Sequence, residues 1–414
     1  MVYIPTREAG LKQMHAFGPS MGKQYASNRN YDNGLTRTNV SKLSPWINAG
    51  LIDEQEVIET ALNYHSPKAA EKFIFEIFWR IYFKGYLEQR QSIWDSFKSQ
   101  RNKALQDLRM DTKLQATYNK VMTGSTGIDA FDYWVKELVD TGYLHNHARM
   151  WFASIWIFTL KLDWTLGADF FLRHLMDADA ASNTLSWRWV GGLHTKGKTY
   201  LARQENILKF TAQHPSGPLN AEGLSHQAVP ILDQKEHIRH NLNFDEIPST
   251  ADSKERFALV LHDEAASHVP LKLVHKPSLV ITVSCSQHRS PGKVGFPASS
   301  FIENAIKDGG ERAAQAFDCE HIQLTDVPTI GEVLEKSKIS KICIPYLTTG
   351  WVKDALWPSI KQFEEKGRSL QILSGLNRAT WPHSRAGFFG VKKIIPKAIL
   401  EAGIHSNQMD LFSS

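Results

Sequence analysis

Cysteine is scarce in this chain of 414 residues: Cys285, Cys319 and Cys343 are the whole supply. Three scattered thiols form neither a Cys-x-x-Cys knuckle nor a disulfide framework, which points to a reducing, cytoplasmic setting. Long apolar runs are missing too. No stretch approaches a membrane span, and the opening MVYIPTREAGLKQM lacks the apolar core of a signal peptide. A soluble protein without a membrane partner is expected. Beyond residue 255 there is no G-x-x-x-x-G-K-[ST], and no G-x-G-x-x-G follows the first strand-like run. That removes the standard nucleoside triphosphate and dinucleotide fingerprints from that part, though not a looser cleft ligand. The 17 histidines include no H-x-x-x-H or H-E-x-x-H pair; His145 and His147, two apart, diverge on a helix, so no metal site is expected. Neither sign of charge dominates. Lys and Arg number 48 against 43 Asp and Glu, leaving +5, which permits a polyanionic partner only where basic residues cluster.

What is plentiful is aromatic: 12 Trp, 21 Phe and 11 Tyr. A packed helical core uses such rings without any function, so only rings set among polar side chains carry information. From Leu51 to about residue 210 the pattern is helical. FIFEIFWRIYFKGYLEQR (73–90) puts Glu76, Trp79, Arg80 and Phe83 on one face. Further helices are expected over 128–144, over the nearly all-apolar 148–164, and through LGADFFLRHLMDADAASNTLSWRWVGG to its Gly pair. Beyond residue 255, short β-branched runs (257–262, 278–284, 321–324, 341–346 and 370–374) alternate with helical stretches. Such alternation implies a parallel, doubly wound sheet. The expected division is therefore a helical domain over 1–210, a connector over 211–255, an α/β domain over 256–375 and a closing segment over 376–414. That segment is basic and aromatic. It is expected to pack on the sheet or on the helical domain, with a nucleic-acid contact as the alternative.

Within the helical half, D177-A-D-A-A-S-N-T-L-S-W187-R-W189 gathers two acids, an amide and two indoles among small residues. Asp177 and Asp179 cannot share a helix face and suit a helix end, where one can pair with Arg149. An Arg on a near-apolar helix needs an anionic partner if it is buried. Asn146 and Arg149, three apart, share a face, as do Asn183 and Trp187. SKLSPWINAG (41–50) sets Ser41 and Ser44 beside a Pro, which reads either as an N-cap or as an anion cradle at a helix start.

Taken together, SKLSPWINAG, FEIFWRIYF, TGSTGIDA, TGYLHNHARM, KLDWTLGADFF and LMDADAASNTLSWRW resemble, in order across residues 25–205, the flavin-binding helical domain of the cryptochrome/DNA photolyase family. The resemblance implies an FAD cofactor. Ser41, Leu43 and Ser44, with Tyr25 nearby, would hold its diphosphate. Arg80 and Arg149 would lie against it, Asp177 and Asp179 would bracket it, and Asn183 would face flavin N5. Glu76, Trp79, Asn146, Met150 and Trp189 would form the wall that receives a flipped pyrimidine dimer. Trp187 would be the flavin-proximal electron donor and Trp164 the next relay position. The acids, amide and indoles would then sit together because a flavin sits among them.

The sequence also departs from that family. Val40 stands where a Thr is usual, which removes a hydrogen bond worth about 1–2 kcal/mol. Ile81 replaces an acid, His147 an Arg and Thr126 a Pro, and Leu108 stands near the place of the distal relay Trp, for which Trp134, Trp151 or Trp156 could substitute. Members carry an α/β antenna domain before the helical one. Here it follows, an order that reads as a circular permutation or, alternatively, as an unrelated appended module. The resemblance raises a second chromophore of folate or deazaflavin type. The function expected is a blue-light-driven photolyase acting on cyclobutane pyrimidine dimers in damaged DNA. A cryptochrome-like photoreceptor with a protein partner is the alternative, and a flavoprotein without light-driven function a third reading.

Overall fold

The computed structural model describes residues 3–233, 235–325 and 327–404. Residues 405–414 of the expected closing segment lie outside it. The first part is helical: α1 (Arg7–Phe17), α2 (Lys23–Asn28), α3 (Ser44–Asn48), α4 (Glu54–Tyr64), α5 (Pro67–Glu88), α6 (Ser92–Met110), α7 (Thr112–Met122), α8 (Asp129–Thr141), α9 (Asn146–Ser154), α10 (Trp164–His174), α11 (Ala180–Val190) and α12 (Gln204–Phe210). Helix α5 shows how local sequence sets these elements. Ser66 caps its start by accepting from the Ala69 N–H, and Pro67 occupies the first turn, where its missing N–H is not needed. One face buries Phe73, Ile74, Ile77, Phe78, Ile81 and Tyr82. A stripe along the border of that face, Glu76, Arg80 and Lys84 at four-residue spacing, stays half-buried.

Two helical expectations need correction. The apolar run 148–164 is not one helix: after α9 it widens into a π-helical turn, Ile155–Thr159, and then breaks at Lys161, whose φ is 56°. Asp163 restarts the chain as the cap of α10, accepting from the Thr165 N–H at 2.8 Å. The run ending at the Gly pair is likewise interrupted between α10 and α11. There the Asp179 carboxylate accepts from the Ser182 N–H at 2.6 Å and so fixes the start of α11.

The second part is a five-stranded, all-parallel sheet of order β3-β2-β1-β4-β5: β1 (Phe257–His262), β2 (Leu279–Val283), β3 (Glu320–Leu324), β4 (Lys341–Pro345) and β5 (Ser369–Ile372). Strands β1 and β2 are buried along their whole length, as continuous apolar runs in a covered parallel sheet should be. Helices α13 (Phe296–Phe317), α14 (Ile330–Lys336) and α15 (Trp351–Glu365) form the crossovers. On α13, Gly309 lets the helix touch the loop after β1: a Cβ there would lie 1.7 Å from the Ala266 carbonyl oxygen. The chain returns as α16 (Gly375–Thr380), α17 (Phe389–Lys392) and α18 (Ile395–Glu401).

The two parts are joined along α5. Its Glu88, with a fully buried side chain, accepts from the Thr349 N–H at 2.7 Å, from the Tyr346 hydroxyl at 2.9 Å and from the Lys353 ammonium at 3.3 Å. A carboxylate of the helical part thus satisfies the start of α15. The return segment lies along the same helix. Trp381 packs on Gly85, where a Cβ would approach it to 2.6 Å. The Gln89 amide donates to the Trp381 carbonyl at 2.7 Å and the Tyr82 hydroxyl to the Ala386 carbonyl at 2.6 Å.

Candidate functional site

The polar side chains singled out in the sequence fall into three groups. The first centres on Asp177. Lys42, in the left-handed region at φ 56°, and Pro45 shape the turn that begins α3. There the Ser44 hydroxyl donates to Asp177 Oδ2. Arg149 of α9 donates to the same oxygen at 2.8 Å, and its Nε donates to the Leu144 carbonyl at 3.0 Å. The guanidinium lies 5.4 Å above the Tyr143 ring. Asp177 Oδ1 is buried without a hydrogen-bond partner. The Asp177 side chain is 3% exposed, whereas Arg149 keeps 23%, so the guanidinium opens onto space that the carboxylate does not reach. Leu43 is buried, and the Ser41 carbonyl accepts from Gln13 Nε2 at 2.9 Å. Tyr25 packs edge-on to Phe73 at 5.1 Å, and burial pushes its hydroxyl well above the usual phenol range.

The second group surrounds Asp179. Arg80 lies 3.4 Å and Lys84 3.5 Å from its Oδ2. Burial pushes the Asp179 carboxyl up, but Lys84 and Arg80 outweigh it and hold the group below the usual carboxylate range. Arg80 also donates to Asn48 Oδ1 at 2.9 Å and to Glu54 at 3.2 Å. Arg80 and Lys84 wall a cleft of about 120 Å³ against the carboxyl ends of the strands, where His262, Glu264, Tyr346 and Thr348 face them. A wider hollow of about 530 Å³ lies elsewhere, bounded by Leu114, Phe158, Trp164 and Ile231, and shares only Trp164 with the expected site.

The third group runs along α11. Asn183 donates its amide to the Ala168 carbonyl of α10 at 2.8 Å. Trp187 is buried with its Nε1–H unpartnered. It packs edge-on to Phe171 at 5.2 Å and to Trp156 at 6.0 Å. Gly167 makes that packing feasible: a Cβ there would lie 2.2 Å from Trp187 and 2.9 Å from Trp156. Trp164 packs instead on Phe97 at 5.8 Å, while Trp156 has Tyr118 at 6.2 Å on its far side. Trp134 and Trp151 stack on one another at 5.5 Å.

The five wall residues have partners of their own. Glu76 is paired with Arg29, yet burial still raises its carboxyl above the ordinary value. Trp79 is stacked on Phe388 of the return segment at 4.0 Å and 11°. Trp189 stacks on Tyr200 at 5.5 Å. Asn146 opens α9 in an exposed position, and Met150 lies half-buried one turn later. Among the described residues, no hydrogen bond or ring contact links these five to one another. Sequence reasoning missed Lys84, Arg29 and Phe388. Lys84 carried a signal, since it continues the spacing of Glu76 and Arg80; the other two approach from remote segments. Among the described residues, no group of three or more His, Cys, Asp or Glu is placed to hold a metal ion.

Residues 73–217 match the family described as the FAD binding domain of DNA photolyase. The chain is 31% identical over 183 residues to "Cryptochrome DASH, chloroplastic/mitochondrial" of Ostreococcus tauri, covering 43% of this chain and 32% of that protein. It is 28% identical over 221 residues to a deoxyribodipyrimidine photo-lyase of Thermus thermophilus, covering 51% and 49% respectively. Among solved structures, a Synechocystis sp. PCC6803 cryptochrome aligns with TM-score 0.44 and 23% identity over 52% of this chain and 44% of that one. The chain thus spans between 32% and 49% of the length of these two curated relatives.

Proposed function

We propose that this chain, a homologue of the photolyase/cryptochrome family through its helical part, is an FAD-dependent, blue-light-driven photolyase acting on cyclobutane pyrimidine dimers in DNA. Asp177 carries the flavin half of this reading. A buried acceptor left unmatched costs about 1–3 kcal/mol, and Asp177 Oδ1 is such an acceptor, beside a half-open arginine. A ligand that brings a donor there and an anion to Arg149 fits both groups. In this reading Ser41, Leu43, Ser44 and Tyr25 hold the diphosphate of FAD. Arg80, Arg149, Asp177 and Asp179 hold its remaining polar edges, and Asn183 stands at the flavin ring. Bound FAD supplies the light absorption and the electron. The helical part precedes the α/β part, the permuted order. The sheet-edge cleft, at about 120 Å³, is well below the roughly 300–1,000 Å³ of small-molecule pockets, so it gives no support to a second chromophore there.

The chain's own residues divide the remaining work. A dimer must leave the base stack to be reached, and Trp79 and Trp189 offer it ring faces while Glu76 and Asn146 offer hydrogen bonds. Phe388 must leave Trp79 for the base to enter. That stack is the observation that favours the second reading, a photoreceptor without repair, in which Phe388 stays in place. The test is to purify the protein in the dark, confirm FAD by absorption, reduce it chemically, and illuminate it with single- and double-stranded DNA carrying one defined dimer. Restoration of intact pyrimidines under blue light only, at least as fast in Phe388→Ala as in the parent, is expected. Tight FAD with no repair by either protein would transfer the conclusion to the photoreceptor.

In this reading Trp156, packed edge-on to Trp187 with Tyr118 beyond it, would be the residue that refills Trp187. Trp156→Phe is therefore expected to slow photoreduction of the bound flavin by an order of magnitude or more, with Trp164→Phe the milder change. Transient absorption of the indole radical checks this, and the opposite ranking would restore Trp164 as the relay.

A further inference from the structure

From Lys366 to Leu400 the sequence contains no Asp or Glu. Between Arg378 and Lys397 it carries Arg378, Arg385, Lys392, Lys393 and Lys397, five positive charges, equal to the net +5 of the whole chain. The excess charge of the molecule is therefore concentrated in one short segment, which is the pattern that a polyanion recognises.

The segment is anchored, so the charges have fixed places. Trp381 at Gly85, the Tyr82 bond to Ala386 and the Phe388–Trp79 stack tie it along α5. Arg385, Lys392 and Lys393 are exposed, and none has a carboxylate partner among the described residues. Arg378 is engaged with the Ile247 carbonyl and Lys397 with Glu401 at 3.4 Å, so neither is free. Lys392 stands 4.8 Å over the Phe75 ring, and Lys72 of α5 stands 5.5 Å from the same ring. Two ammonium groups on one ring repel each other, and an anion between them relieves that repulsion. Lys72 has Glu71 at 3.6 Å, an exposed pair of little strength. Beside them Phe389 is 78% exposed.

We propose that residues 385–393 form a nucleic-acid backbone contact: Arg385, Lys392, Lys393 and Lys72 hold phosphates of duplex DNA, and Phe389 lies against the sugars. A lipid surface fits less well. Helix α17 has four residues, and an interfacial helix needs a continuous apolar face. The proposal supplies a docking surface for the DNA reading above and rests on it for its biological sense, but its physics requires neither flavin nor a lesion.

The test is binding of the full chain to undamaged, labelled duplex DNA by fluorescence anisotropy across a salt series. Each phosphate contact contributes about 0.9 to the slope of log K against log salt. The triple variant Arg385→Gln, Lys392→Gln, Lys393→Gln is therefore expected to lower that slope by about 2.7. A control with the same charge change on exposed α6 and α7 residues, Lys103→Gln, Lys113→Gln, Lys120→Gln, is expected to keep the parent slope. Should the triple variant melt early, Arg385→Gln and Lys393→Gln singly are each expected to lower the slope by about 0.9. Equal losses in both triple variants would overturn the proposal, because net charge alone would then account for binding. So would retention on phosphatidylserine vesicles without binding to DNA. Absence of lesion repair, with the salt slope still dependent on residues 385–393, would refute the photolyase reading and leave this surface standing.

Discussion

Asp177→Ala is expected to yield a folded protein that retains FAD much more weakly than the parent. The carboxylate gathers the Ser44 hydroxyl and the Arg149 guanidinium onto one oxygen. Without it, Arg149 keeps only the Leu144 carbonyl and the face of Tyr143. Removing one partner of a fully buried pair costs about 3–5 kcal/mol. Arg149 retains 23% exposure, so water recovers part of that, and the fold survives. The ligand does not recover its share, because it loses both the carboxylate acceptor and the fixed orientation of the guanidinium. A loss of affinity of about a hundredfold, or ~2.8 kcal/mol at about 1.4 kcal/mol per factor of ten, follows. Asp177→Asn keeps an acceptor in place and should lose less. Equilibrium dialysis of the apoprotein against FAD, beside circular dichroism, reads both quantities. Unchanged FAD retention in Asp177→Ala would remove Asp177 from the site.

The largest effect on stability is expected at Glu88. Its side chain is fully buried and satisfies a backbone N–H, a hydroxyl and an ammonium of the α/β part at once. Glu88→Ala leaves the Thr349 N–H and the Tyr346 hydroxyl without their acceptor, while the Lys353 ammonium, 25% exposed, turns to water; the chain should be destabilised by about 3 kcal/mol, the lower end for a broken buried pair. Glu88→Gln retains the shape and one acceptor oxygen, and should fall between the two. Because the contact joins the helical part to the start of α15, its loss should also separate urea unfolding into two steps. Tryptophan fluorescence follows them, since Trp351 begins that helix. A single transition at the parent midpoint would show that the contact contributes nothing to the joint.

Much of the architecture was legible because burial writes itself into local composition. Strands enclosed by crossover helices are continuous β-branched runs, so all five stood out. The polar stripe of α5 was legible for a different reason: Glu76 and Arg80 at helical spacing have no place on a core face. Lys84 extends the same spacing and was readable by the same rule. Other features leave no local trace. The apolar run through Ile155–Thr159 reads as unbroken helix, whereas the break depends on one left-handed lysine and the Asp163 cap. The pairing of Glu76 with Arg29 and the stack of Trp79 on Phe388 depend on where remote segments come to rest, which no window of sequence contains.

The carboxyl edge of an open parallel sheet, where the strand order reverses, is where such folds ordinarily take up small molecules. Here the reversal lies between β1 and β4, and what arrives at their ends is α5, with Arg80 and Lys84 in the cleft and Glu88 on α15. The sheet has, in effect, been given a tethered guest. A tethered guest meets its site within one chain, at an effective concentration set by the intervening chain and not by the protein's own concentration, so the joint closes with contacts that would hold two separate molecules together less well. Loss of a contact at this edge, Glu88 included, therefore leaves two folded parts that remain within reach of one another rather than two separate molecules.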